Sequence, residues 1–152
     1  MESITKKLIL AFFIVCIAKI ILSTLVPTPT IFTDEYIYMK MSQSFSQNFN
    51  FDVHSMPTLN YHPLYPIILS IAFIFDNAII SYFLMKILNA IVSSLIIIPS
   101  YLLAREFVSR KKAFLCSIII SLMPMNLAFT PFIMAENMFY VLFMFALYFL
   151  YK

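Results

Sequence analysis

The sequence contains no glycine, only two cysteines and few charged residues. Of its 152 residues, 11% are charged and 62% are hydrophobic, whereas charged residues make up about a quarter of an ordinary soluble domain. The shortage of charge excludes that class and predicts an integral membrane protein. Without glycine the chain can form neither a glycine-rich phosphate loop nor Gly-x-x-x-Gly helix contacts, so alanine and serine are expected where helices approach closely.

The cysteines and the basic residues give little sign of a redox site or of a nucleic-acid surface. Cys16 and Cys116 both lie in apolar runs, where a packing role is favoured over a disulfide or a metal site. The net charge is +3, and the basic residues cluster at the ends of apolar runs. Clusters in such positions indicate membrane orientation, so we expect no nucleic-acid partner.

The apolar runs predict an all-α, polytopic membrane protein with about four transmembrane helices. The predicted spans are residues 8–26, 78–104, 113–131 and 133–151. Lys6 and Lys7 precede the first span, and Arg110, Lys111 and Lys112 precede the third, so both basic clusters are expected in the cytoplasm. This topology predicts a protein of the cell membrane with a cytoplasmic N-terminus.

Two further features complete the predicted domain, which is a single membrane domain over residues 1–152. The first apolar run continues without a small-x-small cleavage site, so we expect an uncleaved helix. Lys19 interrupts that run, and either snorkels to the outer interface or faces a polar cavity. Residues 63–75 form an apolar run that is too short to span, which predicts a juxtamembrane or re-entrant helix.

The longest polar segment is an outer loop at about residues 27–62, and it contains a predicted amphipathic helix. Thr33 is followed by Asp34 and Glu35, the pattern of an N-cap with acidic first-turn residues. A helix from residue 34 to about 49, lying in the membrane interface, is predicted by apolar residues at helical spacing: Tyr38, Met41, Phe45 and Phe49. The N–H groups at a helix start favour negative charge, so the two carboxylates suit a base or a metal ligand; helix capping alone is the other interpretation.

The predicted topology brings three carboxylates to one face of the membrane. Asp34 and Glu35 follow the first span, and Glu136 lies at the outer end of the fourth. Lys86 lies about two turns into the second span from the same face. Charges at membrane depth are functional candidates by default, and a base, a second acid and a cation suit a lipid phosphate with a hydroxyl acceptor. A salt bridge without chemistry is the alternative.

Five short motifs, taken in order, resemble a known family. They are Asp34-Glu35-Tyr36, His62-Pro63-Leu64-Tyr65-Pro66, Lys86-Ile87-Leu88-Asn89-Ala90, Leu103-Ala104-Arg105 followed by Arg110-Lys111-Lys112, and Met134-Ala135-Glu136-Asn137-Met138-Phe139. The order and spacing resemble the N-terminal part of GT-C superfamily membrane glycosyltransferases of the glycosyltransferase family 39 type, which includes protein O-mannosyltransferases and aminoarabinose transferases. In the second motif, His62 and Tyr65 support the resemblance.

The resemblance implies transfer of a sugar from a polyprenyl-phosphate donor to a hydroxyl acceptor on the outer face. It makes Asp34 the catalytic base, assisted by Glu35, and makes Glu136 a candidate for acceptor or metal binding. Lys86 would face the lipid phosphate. Such chemistry needs a carboxylate to take the acceptor proton and a cation to stabilise the departing phosphate. The resemblance leaves open the sugar, the acceptor and the need for a divalent metal.

Family members have more spans than this chain, so we expect it to be incomplete as an enzyme on its own. It would then be a split half that pairs with a second polypeptide supplying the missing helices, or a fragment. A non-catalytic membrane subunit or a decayed copy is the second interpretation. A third, a small transporter component built around Lys19, Lys86 and Glu136, explains the intramembrane charges but leaves the Asp34 motif unexplained.

Overall fold

The computed structural model describes residues 2–26, 29, 33–58, 60–75 and 77–152, and most of these residues are helical. The helices are α1 (Glu2–Leu25), α2 (Thr33–Asn48), α3 (Leu64–Leu69), α4 (Ala78–Ser94), α5 (Ile97–Phe107), α6 (Arg110–Ser121), α7 (Pro124–Ala128) and α8 (Glu136–Tyr151). A 3₁₀ helix, Ser70–Ile74, continues α3, and an isolated β-bridge joins Val53 to Met56. The prediction of an all-α protein is confirmed for these residues.

Among the described residues, two helices are long and apolar enough to cross a membrane. They are Ile4–Leu25 and Ala78–Phe107, and the second combines α4 with α5. The junction between α4 and α5 is a turn at Leu95 and Ile96. Pro99 explains this turn, because proline has no N–H for the carbonyl of Leu95 and its ring crowds that carbonyl.

The third and fourth predicted spans are shorter than expected. The third is broken, since α6 ends at Ser121 and α7 begins at Pro124, a residue type that is tolerated in the first turn of a helix. With 12 residues in α6 and 16 in α8, these helices are about 18 Å and 24 Å long, against a hydrocarbon core of about 30 Å. The count of four spans therefore stays a prediction.

Side-chain contacts show that α1 and α4 are antiparallel. Lys86 Nζ, near the start of α4, donates to the carbonyl of Ser23 near the end of α1, at 2.7 Å. Lys19 Nζ, earlier on α1, donates to Ser93 Oγ near the end of α4, at 3.0 Å. Lys19 is 0% exposed, so the snorkelling interpretation of this residue is wrong.

The bundle has a basic end and an acidic end. Because α5 continues antiparallel to α1, it finishes beside the start of α1, and the ion pair from Lys152 to Glu106, at 3.2 Å, brings the end of α8 to the same place. This end carries the basic clusters: Lys6, Lys7, Arg105, Arg110, Lys111 and Lys112. The start of α4 and the start of α8 lie at the opposite end, together with α2. This end carries Asp34, Glu35 and Glu136 and is the acidic end.

The main core lies beneath α2, at the acidic end. It is formed by buried residues of α2, α3, α4 and the start of α8: Tyr38, Met41, Tyr65, Leu69, Met85 and Met138. Thr33 starts α2 and the two acids occupy its first turn, as predicted. Phe49 departs from the predicted apolar face, because it lies past the helix end at φ 55° and is 81% exposed.

Candidate functional site at the acidic end

The two acids at the start of α2 face different surroundings. Adjacent residues on a helix are rotated by about 100° from one another, so both cannot point the same way. Glu35 is turned into the core and is 1% exposed. Asp34 is only half-buried. The more accessible carboxylate of the pair is therefore Asp34.

Glu35 connects three parts of the fold. Its Oε1 accepts a hydrogen bond of 2.5 Å from the hydroxyl of Tyr82 on α4 and one of 3.0 Å from the backbone N–H of Ile133. A buried carboxylate that receives such bonds joins the elements that donate them. Glu35 thus holds α2 against α4 and against the segment that precedes α8.

Asp34 forms a side-chain pair with Tyr61, which lies 27 positions further along the chain. The Tyr61 hydroxyl donates to Asp34 Oδ1 at 2.8 Å, and this hydrogen bond raises the pKa of Tyr61 above its ordinary value. A carboxylate has about four acceptor positions, so one phenol bond orients the group and leaves it capacity to accept a second hydroxyl.

Tyr38 shows that Asp34 and Glu136 share one neighbourhood. Burial raises the pKa of Tyr38 to about 12, and the negative charges of Asp34 and Glu136 add to the effect. The ring of Tyr38 makes edge-to-face contacts with Tyr61 and Tyr65, at centroid distances of 5.3 and 5.2 Å. Asp34 and Glu136 therefore both lie within electrostatic range of a group of tyrosines formed by Tyr38, Tyr61 and Tyr65.

Lys86 binds the end of α1. Its ammonium donates to the carbonyls of Ser23, at 2.7 Å, and Val26, at 3.1 Å, and lies 5.7 Å from the ring centre of Tyr82. The last carbonyls of a helix have no partner within the helix and attract a cation. Lys86 is 6% exposed, so facing a lipid phosphate would require it to move away from these carbonyls.

Two asparagines support the irregular backbone between α7 and α8. Asn89 Nδ2 donates to the carbonyls of Thr130, at 3.0 Å, and Phe132, at 2.8 Å, while its Oδ1 accepts from Tyr65. Asn137 Nδ2 donates to the carbonyl of Phe129 at 2.9 Å. Non-helical backbone in an apolar environment requires such partners, so these side chains fix the loop that Glu35 also contacts.

The structure accounts unevenly for the residues predicted from the sequence. Asp34 and Glu136 both act electrostatically on Tyr38, whereas Glu35 and Lys86 bind backbone groups. His62 is exposed, while Tyr65 is fully buried. Four residues with contacts in or beside the site had no predicted role: Tyr38, Tyr61, Tyr82 and Asn89. Tyr61 and Asn89 lie within or beside the motifs, which was the available signal.

A metal centre is not preformed in the described ranges. Within residues 2–26, 29, 33–58, 60–75 and 77–152, no group of three or more His, Cys, Asp or Glu side chains lies close enough to hold a metal ion. Asp34 and Glu136 supply two carboxylates near Tyr38, and the Glu35 carboxylate already accepts hydrogen bonds from Tyr82 and Ile133.

No family model, curated protein or solved structure matches the chain. The resemblance to GT-C glycosyltransferases therefore stays a prediction that depends on the sequence motifs. The chemistry of the site itself is more general: a half-buried carboxylate, oriented by a phenol, can take the proton of a hydroxyl group.

Proposed function

We propose that the chain is the membrane-embedded part of a glycosyltransferase that moves a sugar from a polyprenyl phosphate to a hydroxyl acceptor. Asp34 is the general base in this proposal. The observation that carries it is the pair of Asp34 and Tyr61, at 2.8 Å, since it holds an accessible carboxylate at the acidic end, where the motifs around Lys86 and Glu136 also lie. Glu136, at the start of α8, is the candidate for binding of the acceptor.

The surface of α1 supports a membrane location. One side of the helix carries large apolar side chains that are 52–60% exposed: Ile9, Leu10, Phe13, Ile14, Ile17 and Ile21. Soluble proteins rarely leave so continuous an apolar surface in water. The basic end would face the cytoplasm of a cell membrane by the positive-inside rule, which puts the acidic end, and the site, on the outer face. The proposed topology keeps the predicted third and fourth spans.

In the proposed reaction, Asp34 accepts the proton of the acceptor hydroxyl. The acceptor oxygen forms a bond to the anomeric carbon of the sugar while the bond from that carbon to the phosphate oxygen breaks, and the polyprenyl phosphate leaves. General base catalysis of this kind contributes about 10²- to 10⁴-fold in rate. The leaving phosphate needs positive charge. Lys86, released from Ser23, a cation of a second polypeptide or a divalent metal would supply it.

The test is sugar transfer by membranes that contain the full chain, alone or with a second polypeptide that completes it. Radiolabelled polyprenyl-phosphate mannose serves as the donor and a serine- and threonine-bearing peptide as the acceptor. Asp34→Asn should reduce transfer by at least about 10²-fold while binding of the donor lipid stays unchanged. Asp52→Asn is the matched control, because Asp52 lies in the same polar segment but outside the group formed by Tyr38, Tyr61 and Tyr65.

Near-normal transfer by Asp34→Asn would contradict the role of this carboxylate. If the assembled wild-type protein neither binds the donor nor transfers sugar, a non-catalytic membrane subunit becomes the better description. One observation favours that second function: Glu35 and Lys86, both candidate site residues, bind groups of the fold itself.

A further inference from the structure

An apolar groove runs between α1 and α6, away from the acidic end. Its walls include Ala11 and Ala18 of α1, Phe114 and Ile118 of α6, and Leu122 just beyond the end of α6, and its volume is about 520 Å³. The two alanines leave space that larger side chains would fill. Lys7 lines one end of the groove and is the only charged residue that does so among the described residues.

The charged end of the groove belongs to the basic end of the bundle. Since α5 finishes beside the start of α1, α6 begins at the same level and runs parallel to α1, with Phe114 packed near Ala11. Arg110, Lys111 and Lys112 in the first turn of α6 are exposed, and they lie at about the level of Lys7, because Phe114 packs near Ala11 four residues further along each helix. The groove thus joins an apolar channel to a cluster of positive charge.

The dimensions of the groove select its occupant. From Lys7 to Ala18 it is about 17 Å long, which is close to one leaflet of a hydrocarbon core about 30 Å thick. Its volume over that length gives a cross-section of about 30 Å², whereas an α-helix about 10 Å in diameter needs more than twice as much. A single acyl chain is therefore an occupant that the groove can enclose, whereas a helix of another protein would remain largely outside it.

We infer that the groove between α1 and α6 binds one acyl chain of an anionic phospholipid, whose phosphate lies among Lys7 and the basic first turn of α6. The basic residues recognise the head group and the apolar walls recognise the tail. This inference depends on the membrane location but not on sugar transfer, so either can fail while the other holds.

Native mass spectrometry of the full chain in detergent tests the head group. Phosphatidylglycerol and phosphatidylcholine with identical tails are added in equal amounts, and the ratio of the two retained lipids is measured. We expect phosphatidylglycerol to be retained in about tenfold preference or more, and Lys7→Gln and Lys111→Gln to weaken that preference by about fivefold each. Equal retention of the two lipids by the wild-type chain would overturn the inference.

The tail is tested with a single tryptophan, because the sequence contains none. Leu122→Trp reports from the groove, and Ala146→Trp, at an exposed position of α8, is the matched control. Phosphatidylglycerol brominated on its acyl chains, added at an equimolar amount, should quench the tryptophan at position 122 at least about twofold more than that at position 146. The Ala18→Phe change should remove this difference by filling the groove. Equal quenching at the two positions, or a difference that survives Ala18→Phe, would contradict a tail site.

Discussion

The different surroundings of the two acids at the start of α2 predict different responses to the loss of charge. Glu35→Gln preserves the shape of the side chain but weakens the hydrogen bonds from Tyr82 and Ile133. A hydrogen bond to a charged group contributes about 1.5–3 kcal/mol and a neutral one about 0.5–1.5 kcal/mol, so the two bonds together should lose about 2 kcal/mol. Asp34→Asn keeps an acceptor for Tyr61, so it weakens one charge-assisted bond instead of two, by up to about 1 kcal/mol at a half-buried position. Both changes also lose an interaction with the helix dipole of about 0.3–1 kcal/mol, so Asp34→Asn should destabilise the protein less than Glu35→Gln.

The free energy of unfolding can be measured by titration with dodecyl sulfate in mixed micelles, followed by far-ultraviolet circular dichroism. A double-mutant cycle that combines Glu35→Gln with Tyr82→Phe should give a coupling energy of at least about 0.5 kcal/mol, because the two side chains share one bond. If Asp34→Asn destabilises the protein as much as Glu35→Gln, or if the cycle shows no coupling, then Glu35 does not join α2 to α4.

Three further predictions concern the rest of the molecule. Lys86→Met should lower the free energy of unfolding by about 2–4 kcal/mol in the same titration, because it removes the ammonium that binds the carbonyls of Ser23 and Val26. An unchanged stability with weaker binding of a polyprenyl phosphate would instead favour a role in the site. Single cysteines at Ser46 and Ser109, in a chain without its native cysteines, should be labelled by an impermeant maleimide from opposite sides of the membrane, and labelling from one side would reject the predicted topology. The raised pKa of Tyr38 gives stability that is present below pH 10 and lost as the pH rises towards about 12, since the folded state holds the phenol proton to a higher pH than the unfolded state. The Tyr38→Phe variant should therefore lose less stability than the wild type over this interval. Identical pH profiles of the two proteins would contradict this prediction.

The sequence predicted the helices better than it predicted their breaks. Hydropathy located the apolar runs, and the order of Thr33, Asp34 and Glu35 located the start of α2, because capping and dipole effects are local. The predicted third span was continuous over residues 113–131, yet a break before Pro124 separates α6 from α7. A separation of this kind depends on partners for the freed backbone groups, and those partners come from distant positions such as Asn89.

The pairs within the site could not be predicted from spacing. Tyr61 contacts Asp34 across 27 positions, and the polar segment that joins the end of α2 to Tyr61 has no helical period. Lys86 was expected to face an anion, but it binds the carbonyl of Ser23 near the end of α1. A pattern of side chains does not show which backbone carbonyls a neighbouring helix leaves without a partner. The rotation of about 100° per residue explains why the two acids of the pair face different surroundings, but tertiary packing decides which one is buried.

Several buried polar side chains in this bundle bind backbone groups that an apolar environment leaves unsatisfied. Glu35, Lys86 and Asn89 each bind a backbone N–H or carbonyl at a helix end or in an irregular segment. In a soluble protein water could satisfy many of these groups, so buried charges at the same positions would point more directly to chemistry. In a membrane, a charged residue is a stronger functional candidate when its bond is to another side chain at an accessible surface. Asp34, bonded to Tyr61 at the acidic end, meets that condition.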